Sequence, residues 1–274
     1  MNVVVVLTCY NRKEKTERCI NQLLKSNLNI SFVISDDGSN DGTVEMLRQK
    51  QKEYKIIILH GTGDMYYSGG MRMALGYILE NKACFQEYDY LLLVNDDVYF
   101  FEDSIVAMIK QSQGKGNTVI IGATANEDGT QSYGGIKYNN AGINYRKVDI
   151  TESNLECDTF NANAVLIPYS TFLKCGNFDN RYLHSLGDFD YGLNIKRQGF
   201  KMYSSEGYIG LCDNNEINNT YLDRNLKTKT RILLKENPKG APFRPWFYFL
   251  RKNFGLSTAI LRSITPYIKI FLKM

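Results

Sequence analysis

The chain carries six cysteines, Cys9, Cys19, Cys84, Cys157, Cys175 and Cys212, yet no two of them form a C-x-x-C pair. No positively charged leader with a small-residue cleavage site precedes them, so they read as reduced cytosolic thiols, mostly core. Long apolar runs are missing as well. The opening stretch Val3 to Leu7 is far too short to span a bilayer and reads as a first strand, so the expectation is a chain that is not exported. After that strand stands Thr-Cys-Tyr-Asn-Arg-Lys rather than G-x-G-x-x-G, which argues against a dinucleotide-binding dehydrogenase. No G-x-x-x-x-G-K-[ST] occurs, which argues against a P-loop enzyme. Internal repeats and low-complexity tracts are also absent.

What is present is an ordinary globular composition over 274 residues, enough to bury a full core as one domain or one domain plus an extension. The formal charge of +4 is unevenly spread. From Asp223 to Met274 twelve Lys and Arg stand against two acids, a balance of +10, whereas residues 1–222 carry 21 against 27, or −6. An acidic body and a basic tail have different jobs.

Strand-like runs at Val3–Leu7, Ser31–Ser35, Lys55–Leu59, Tyr90–Val94 and Thr118–Ile121 alternate with helix-length mixtures. Such alternation predicts right-handed βαβ units and a mostly parallel sheet in an α/β fold. From Lys13 to Ser26, Thr16, Cys19, Ile20, Leu23 and Leu24 recur at helical spacing, with charged residues on the other face. Gly129 and Gly134-Gly135 break up a polar stretch, and turns or a hairpin are expected around Asn139 to Tyr145. A further apolar strand, Asn163 to Ile167, ends at Pro168 and leads through a short helix to the turn Gly176-Asn177-Phe178-Asp179.

Three acidic clusters follow these strands or open helices. In Ser35-Asp36-Asp37-Gly38-Ser39, the carboxylates can accept hydrogen bonds from a ribose or a base N–H, although taken alone a turn and helix N-cap explain them better. Asn95-Asp96-Asp97 ends the apolar run Leu91 to Val94, and adjacent carboxylates there repel unless something positive sits between them. A divalent cation carrying nucleotide phosphates suits such oxygen ligands; a strand-end turn is the plainer alternative. Gly187-Asp188-Phe189-Asp190-Tyr191 opens a helical pattern. Its acids are either partners of the helix dipole or, for one held beside a diphosphate, a general base.

Taken in order, Thr8-Cys9-Tyr10-Asn11-Arg12, Asp36-Asp37-Gly38-Ser39, Asn95-Asp96-Asp97 and Gly187-Asp188-Phe189-Asp190 resemble the inverting nucleotide-sugar glycosyltransferases of family 2. Within that family the chain is most similar to bacterial rhamnosyltransferase-like members that build cell-surface polysaccharides. The resemblance implies a GT-A fold, a mostly parallel twisted sheet flanked by helices, over residues 1–222. The nucleotide-binding half would be 1–125 and the acceptor-side half 126–222, with a basic helical tail at 223–274. It also implies roles. Thr8, Tyr10, Arg12 and Asp37 would face the nucleoside side of the donor with Gly70, Arg72, Asn95 and Asp96, Asp96 lying by the ribose. Asp97 would reach a Mn2+ or Mg2+ ion on the diphosphate, and Asp188 would deprotonate the acceptor hydroxyl. Asn161, His184 and Asp190 would stand on the acceptor side. The donor would be a nucleoside-diphosphate sugar, such as dTDP-rhamnose or a UDP-sugar, and the acceptor a glycan or a lipid-linked glycan.

Some positions depart from the family pattern. Gly187 stands where many relatives carry Glu before the base, and Arg72 where many show Asn. A further metal ligand in relatives is a His after the base, but the chain has only His60 and His184, so Asp213 is the substitute to expect. The stretch Asp213 to Tyr221 suits a mobile lid over bound donor. A sugar nucleotidyltransferase shares the general fold but wants a glycine-rich loop after the first strand, which is missing. The rival from another class is a non-catalytic nucleotide-sugar or glycan binder.

Phe243 to Met274 mixes aromatic and basic residues and contains no acid. Such a segment suits an anionic membrane surface, which would place a cytoplasmic protein at the inner face of the cell membrane. Packing on the body or on a partner subunit of a homo-oligomer is the alternative. Nucleic acid is not the expected partner, since no binding motif accompanies the charge.

Overall fold

Val3, Val4, Val5, Val6 and Leu7 are wholly buried, because the strand they form is covered on both faces. The structure, a computed structural model, describes residues 1–139, 143–214 and 217–273. Strand β1 (Asn2–Cys9) lies inside the main sheet between β2 (Asn29–Asp36) and β4 (Tyr90–Asn95), parallel to both, with β3 (Ile56–His60) parallel on the outer side of β2. The crossovers carry α1 (Lys13–Leu24), α2 (Thr43–Lys50) and α3 (Tyr66–Glu80). Alternation along β1 divides the protein into two cores. Val4 and Val6 join Met71, Leu75 and Ile78 of α3, whereas Val3, Val5 and Leu7 join Cys19, Ile20 and Leu23 of α1. Each such buried side chain contributes about 1.5–3 kcal/mol, so a run of five fixes this strand firmly in the interior.

Beyond β4 the sheet changes direction. The order is β3-β2-β1-β4-β11-β6-β12-β5, in which β11 (Ala164–Pro168) runs antiparallel between β4 and β6 (Val119–Ala125). Strand β12 (Met202–Leu211) lies parallel to β6, while the short β5 (Tyr99–Phe100) is antiparallel on β12 and β7 (Gln131–Tyr133) is antiparallel on β6. The parallel order is therefore confined to β3-β2-β1-β4 and β6-β12. A second, three-stranded sheet combines β8 (Gly135–Tyr138), β9 (Tyr145–Lys147) and β10 (Thr159–Phe160). Helices α4 (Ser104–Gly114), α5 (Tyr169–Cys175) and α6 (Gly187–Arg197) complete the body. The tail folds as α7 (Thr228–Glu236), α8 (Phe243–Phe254) and α9 (Leu256–Phe271).

The expected strands and first helix are present, most ends moved by a residue or two, while the strand expected to end at Ile121 runs on to Ala125. The hairpin expected around Asn139 to Tyr145 appears as the β8–β9 pairing, although residues 140–142 of its turn lie outside the described residues, as do 215 and 216 of the expected lid. Strand β12 has no apolar run that marks it: Ser204, Ser205, Glu206 and Gly207 interrupt it, and its register with β6 shifts there. The tail does not stand apart from the body. Helix α8 lies on α6, where Phe249 and Leu250 cluster with Tyr182, Phe189 and Leu193.

Candidate active site

The register of the parallel strands brings their C-terminal ends to one edge, with Thr8 beside both Ser35 and Asn95, and Cys9 beside Asp36. That edge is where open α/β sheets receive ligands. The first two sequence motifs are laced together along it. The Asn11 N–H donates to Ser39 Oγ at 2.8 Å, the Asn40 N–H to Asn11 Oδ1 at 2.8 Å, and the Lys13 N–H to Asp41 Oδ2 at 2.9 Å. Tyr10 stands on the rim, 52% exposed. Asp37 is buried, and its two oxygens accept from the N–H groups of Gly63 (2.8 Å), Met65 (3.0 Å) and Tyr66 (3.1 Å). It thereby fixes the approach to α3. Gly70 on that helix is a close-packing position: a β-carbon there would meet Thr8 Oγ1 at 2.2 Å.

The acid pair at the end of β4 does have a cation between its members, and that cation is Arg12. One guanidinium nitrogen, Nη1, donates to Asp96 Oδ1 at 2.8 Å and to Asp97 Oδ2 at 3.1 Å. Asp96 is the inner acid, with a side chain only 4% exposed and its second oxygen accepting from Thr16 Oγ1 at 2.9 Å. Burial raises its pKa, and the Arg12 charge restores only part of the difference. Asp97 is the outer acid, 25% exposed. Its Oδ1 accepts from the Cys212 thiol at 3.7 Å, Asn163 Nδ2 contacts that sulfur at 3.4 Å, and Asn95 Nδ2 donates to Asn163 Oδ1 at 3.2 Å. The pair thus divides into a buried acid and a more exposed one.

Near the start of β11, where the preceding Asn163 pairs with Asn95 of the same edge, Asp188 opens α6. Its Oδ2 accepts from the Ala162 N–H at 3.2 Å and its Oδ1 from the Phe189 N–H at 2.9 Å. Burial pushes its carboxyl up to about 6, against the pull of those N–H donors. Tyr67 links the two halves: its hydroxyl donates to Ala162 O at 3.2 Å, and burial, with the charges of Asp188 and Asp97, raises its pKa well above normal. Burial also raises Tyr138 and Tyr145, with the Asp188 charge adding to both, so the β8–β9 hairpin borders the same carboxyl. Gly187 is explained by space. A β-carbon there would meet Ser68 Oγ at 2.3 Å and Ser68 Cβ at 2.8 Å, so α6 enters against α3 where no Glu fits.

The remaining candidates divide. His184 is half-buried against Tyr66 and Tyr67, with its Nδ1 unpartnered, and burial plus the charges of Lys239 and Arg12 lower its pKa to about 4. It is neutral at physiological pH and close to the cleft. Asn161 is half-buried just before Ala162, the residue that holds Asp188. Arg72 instead donates to Tyr182 O at 3.0 Å, tying α3 to the segment before α6. Asp190 is turned to the tail, accepting from Lys252 Nζ at 2.6 Å and Asn253 Nδ2 at 3.0 Å. Asp213 Oδ1 accepts from the Glu127 N–H at 3.4 Å. Among the described residues no group of three or more His, Cys, Asp or Glu gathers to hold a metal, so Asp213 does not complete a cage with the acid pair. Sequence reasoning missed Tyr67, Asn163, Cys212 and Lys239. Only contact across the sheet and with the tail reveals them.

A two-direction α/β sheet flanked by helices, with an acid pair ending a central parallel strand, is the architecture of the GT-A glycosyltransferases. The chain belongs to glycosyl transferase family 2, whose profile matches residues 4–166. No curated protein sequence matches it. Among solved structures it is similar to residues 1–349 of S. aureus TarS in complex with UDP-GlcNAc. That pair has a TM-score of 0.62 at 12% identity, covering 98% of this chain and 90% of that one. It is also similar to the mannosyltransferase PcManGT of Pyrobaculum calidifontis in complex with GDP-Man and Mn2+, with a TM-score of 0.60 at 12% identity, covering 98% and 78%. At this identity the likeness to those structures is one of fold.

Proposed function

We propose that this glycosyltransferase moves a sugar from a nucleoside-diphosphate donor to a hydroxyl of a glycan or lipid-linked glycan with inversion at the anomeric carbon. The observation that carries the reading is Asp188, a carboxyl raised to about 6 and held by the N–H of Ala162, beside the Asn163 that pairs with Asn95 at the acid pair. A group with that pKa is ionised at neutral pH yet basic enough to take a proton from an attacking hydroxyl. Its two backbone donors hold the carboxylate in one orientation, and the half-buried Tyr67, whose hydroxyl donates to Ala162 O, feels the charges of both Asp188 and Asp97. The acceptor oxygen would lose its proton to Asp188 as it attacks the sugar from the face opposite the leaving diphosphate. One displacement of that kind inverts configuration.

The family implies Mn2+ or Mg2+, and the residues fit an ion shared with a diphosphate. Magnesium sites commonly take one or two carboxylates and complete the shell with phosphate oxygens and water. Asp97, the exposed member of the pair, would hold it, and the ion would supply neutralisation of the departing diphosphate. Arg12 bridges both acids and would be released from Asp97 to meet a phosphate oxygen as a charge-assisted donor. Tyr10 would meet the base, a role that its exposure on the rim supports. The structures bound to UDP-GlcNAc and GDP-Man support a nucleotide-sugar donor; dTDP-rhamnose or a UDP-sugar is the reading we prefer. The basic tail supports a place at an anionic membrane surface, which we read as the cytoplasmic face.

The test is a panel of nucleotide sugars with Mn2+ or Mg2+, scored by release of nucleoside diphosphate. Turnover of at least one donor is expected, and metal chelation should suppress it. If every donor stays intact, the reading gives way to a non-catalytic binder.

A further inference from the structure

The two long helices of the tail differ in what they cover. Helix α8 is fastened to the body: Phe249 and Leu250 are buried, and Lys252 Nζ donates to Asp179 at 3.0 Å and to Asp190 at 2.6 Å. Helix α9 is fastened only along its inner side, where Ala259, Ser263 and Ile270 are buried. Its outer side carries Ile260, Leu261, Ile264, Ile268, Phe271 and Leu272, each more than half exposed. At 3.6 residues per turn these six fall in one stripe about 120° wide. Singly exposed apolar residues are ordinary, but a stripe that continues from Ile260 to Leu272 marks an interaction surface.

Charge identifies the occupant. No Asp or Glu follows Glu236, while Arg244, Arg251, Arg262, Lys269 and Lys273 are all exposed. Arg262, Lys269 and Lys273 lie on the flank of α9 opposite the apolar stripe, the distribution of a helix that lies in a membrane interface. Long basic side chains reach headgroups from such a flank while the apolar side sinks among acyl chains. A second copy of the chain would instead bring two cation-rich, acid-free tails together. No described helix is long and apolar enough to cross a membrane, so the helix would lie flat.

We infer that α9 alone is the membrane-binding element, docking its apolar stripe flat on an anionic lipid surface, and that α8 is the clamp joining it to α6. This deepens the membrane placement proposed above but needs no catalytic turnover. The clamp is short. Lys252 reaches Asp190, two residues beyond Asp188 on the same helix, so a lipid-bound α9 is tied through α8 to the helix that carries Asp188.

Flotation of the full chain with vesicles tests this. The protein should rise with vesicles of phosphatidylcholine and phosphatidylglycerol, less with phosphatidylcholine alone, and less with added salt. The variant Leu261→Gln/Ile264→Gln/Ile268→Gln should lose about tenfold in partitioning, because three apolar insertions are removed. Its thermal midpoint should be unchanged, since all three side chains face outward. Lys252→Met should keep vesicle binding and lower the thermal midpoint. The inference is overturned if the wild-type chain stays off anionic vesicles or if the triple variant binds as well. It is also overturned if sedimentation shows a dimer that the triple variant dissolves, which assigns the stripe to a second copy. Vesicle binding without turnover of any donor would defeat the transferase reading and leave this one standing.

Discussion

Asp188 is held in a state that costs stability. Its carboxyl, raised to about 6 by burial, binds a proton more tightly in the folded chain than in the unfolded one, where it ionises near pH 3.9. Stability therefore falls as pH rises from about 4 to about 6, and the whole deficit is present above that window. The Asp188→Asn variant removes the buried charge but leaves one of two backbone N–H groups without its acceptor. A net gain of about 1–2 kcal/mol is expected at neutral pH, absent below about pH 4. Urea unfolding of both proteins at the two pH values measures it; equal stability at neutral pH would show that the carboxyl is not strained. Arg12 makes a complementary point. A cation between strand-end acids was legible from Asn95-Asp96-Asp97, but the sequence does not show that a side chain three residues past β1 supplies it.

At the scale of elements, close contacts between helices place these side chains. Gly187 lets α6 start against Ser68 of α3, and the preceding Leu186 takes a left-handed φ of 74° to make that entry. Gly187→Ala should destabilise by about 1–3 kcal/mol, since a β-carbon there collides with the Ser68 side chain. The same change should cost less in a Ser68→Gly background, an interaction that a double-mutant cycle of unfolding midpoints reads directly. Additive costs would mean that the collision is relieved elsewhere. Tail helices are joined by a similar local device. Pro266 inside α9 has no N–H for the carbonyl of Arg262, and Trp246 Nε1 of α8 donates to that oxygen at 3.4 Å. The helix break thus becomes a tie between α8 and α9.

For the whole molecule, the parallel half was legible because its strands are buried on both faces and read as apolar runs, as Val3 to Leu7 and Leu91 to Val94 do. Three of the acids that matter, Asp96, Asp97 and Asp188, stand at ends of elements that periodicity finds. The rest was not legible, for physical reasons. The direction of β11 depends on its neighbours, β12 is interrupted by polar residues at its bulge, and Tyr67 and Asn163 act only across the sheet. Asp190 reads as a site residue beside Asp188 but is drawn into the tail by Lys252, a partner 62 residues away. The basic tail was expected either to face a membrane or to pack on the body; in the fold α8 packs on α6, while α9 keeps apolar side chains exposed.

The central claim is that Asp188 removes a proton during transfer. The most direct measurement is the turnover rate against pH for the donor that the wild-type chain uses, set beside the same profile for Asp188→Asn, with nucleoside-diphosphate affinity measured on both. The wild-type rate should rise through about pH 6 and level above it, and the variant should lose about 100-fold or more in kcat with its nucleotide affinity unchanged. A variant that turns over at the wild-type rate, with the same pH profile, would contradict the account.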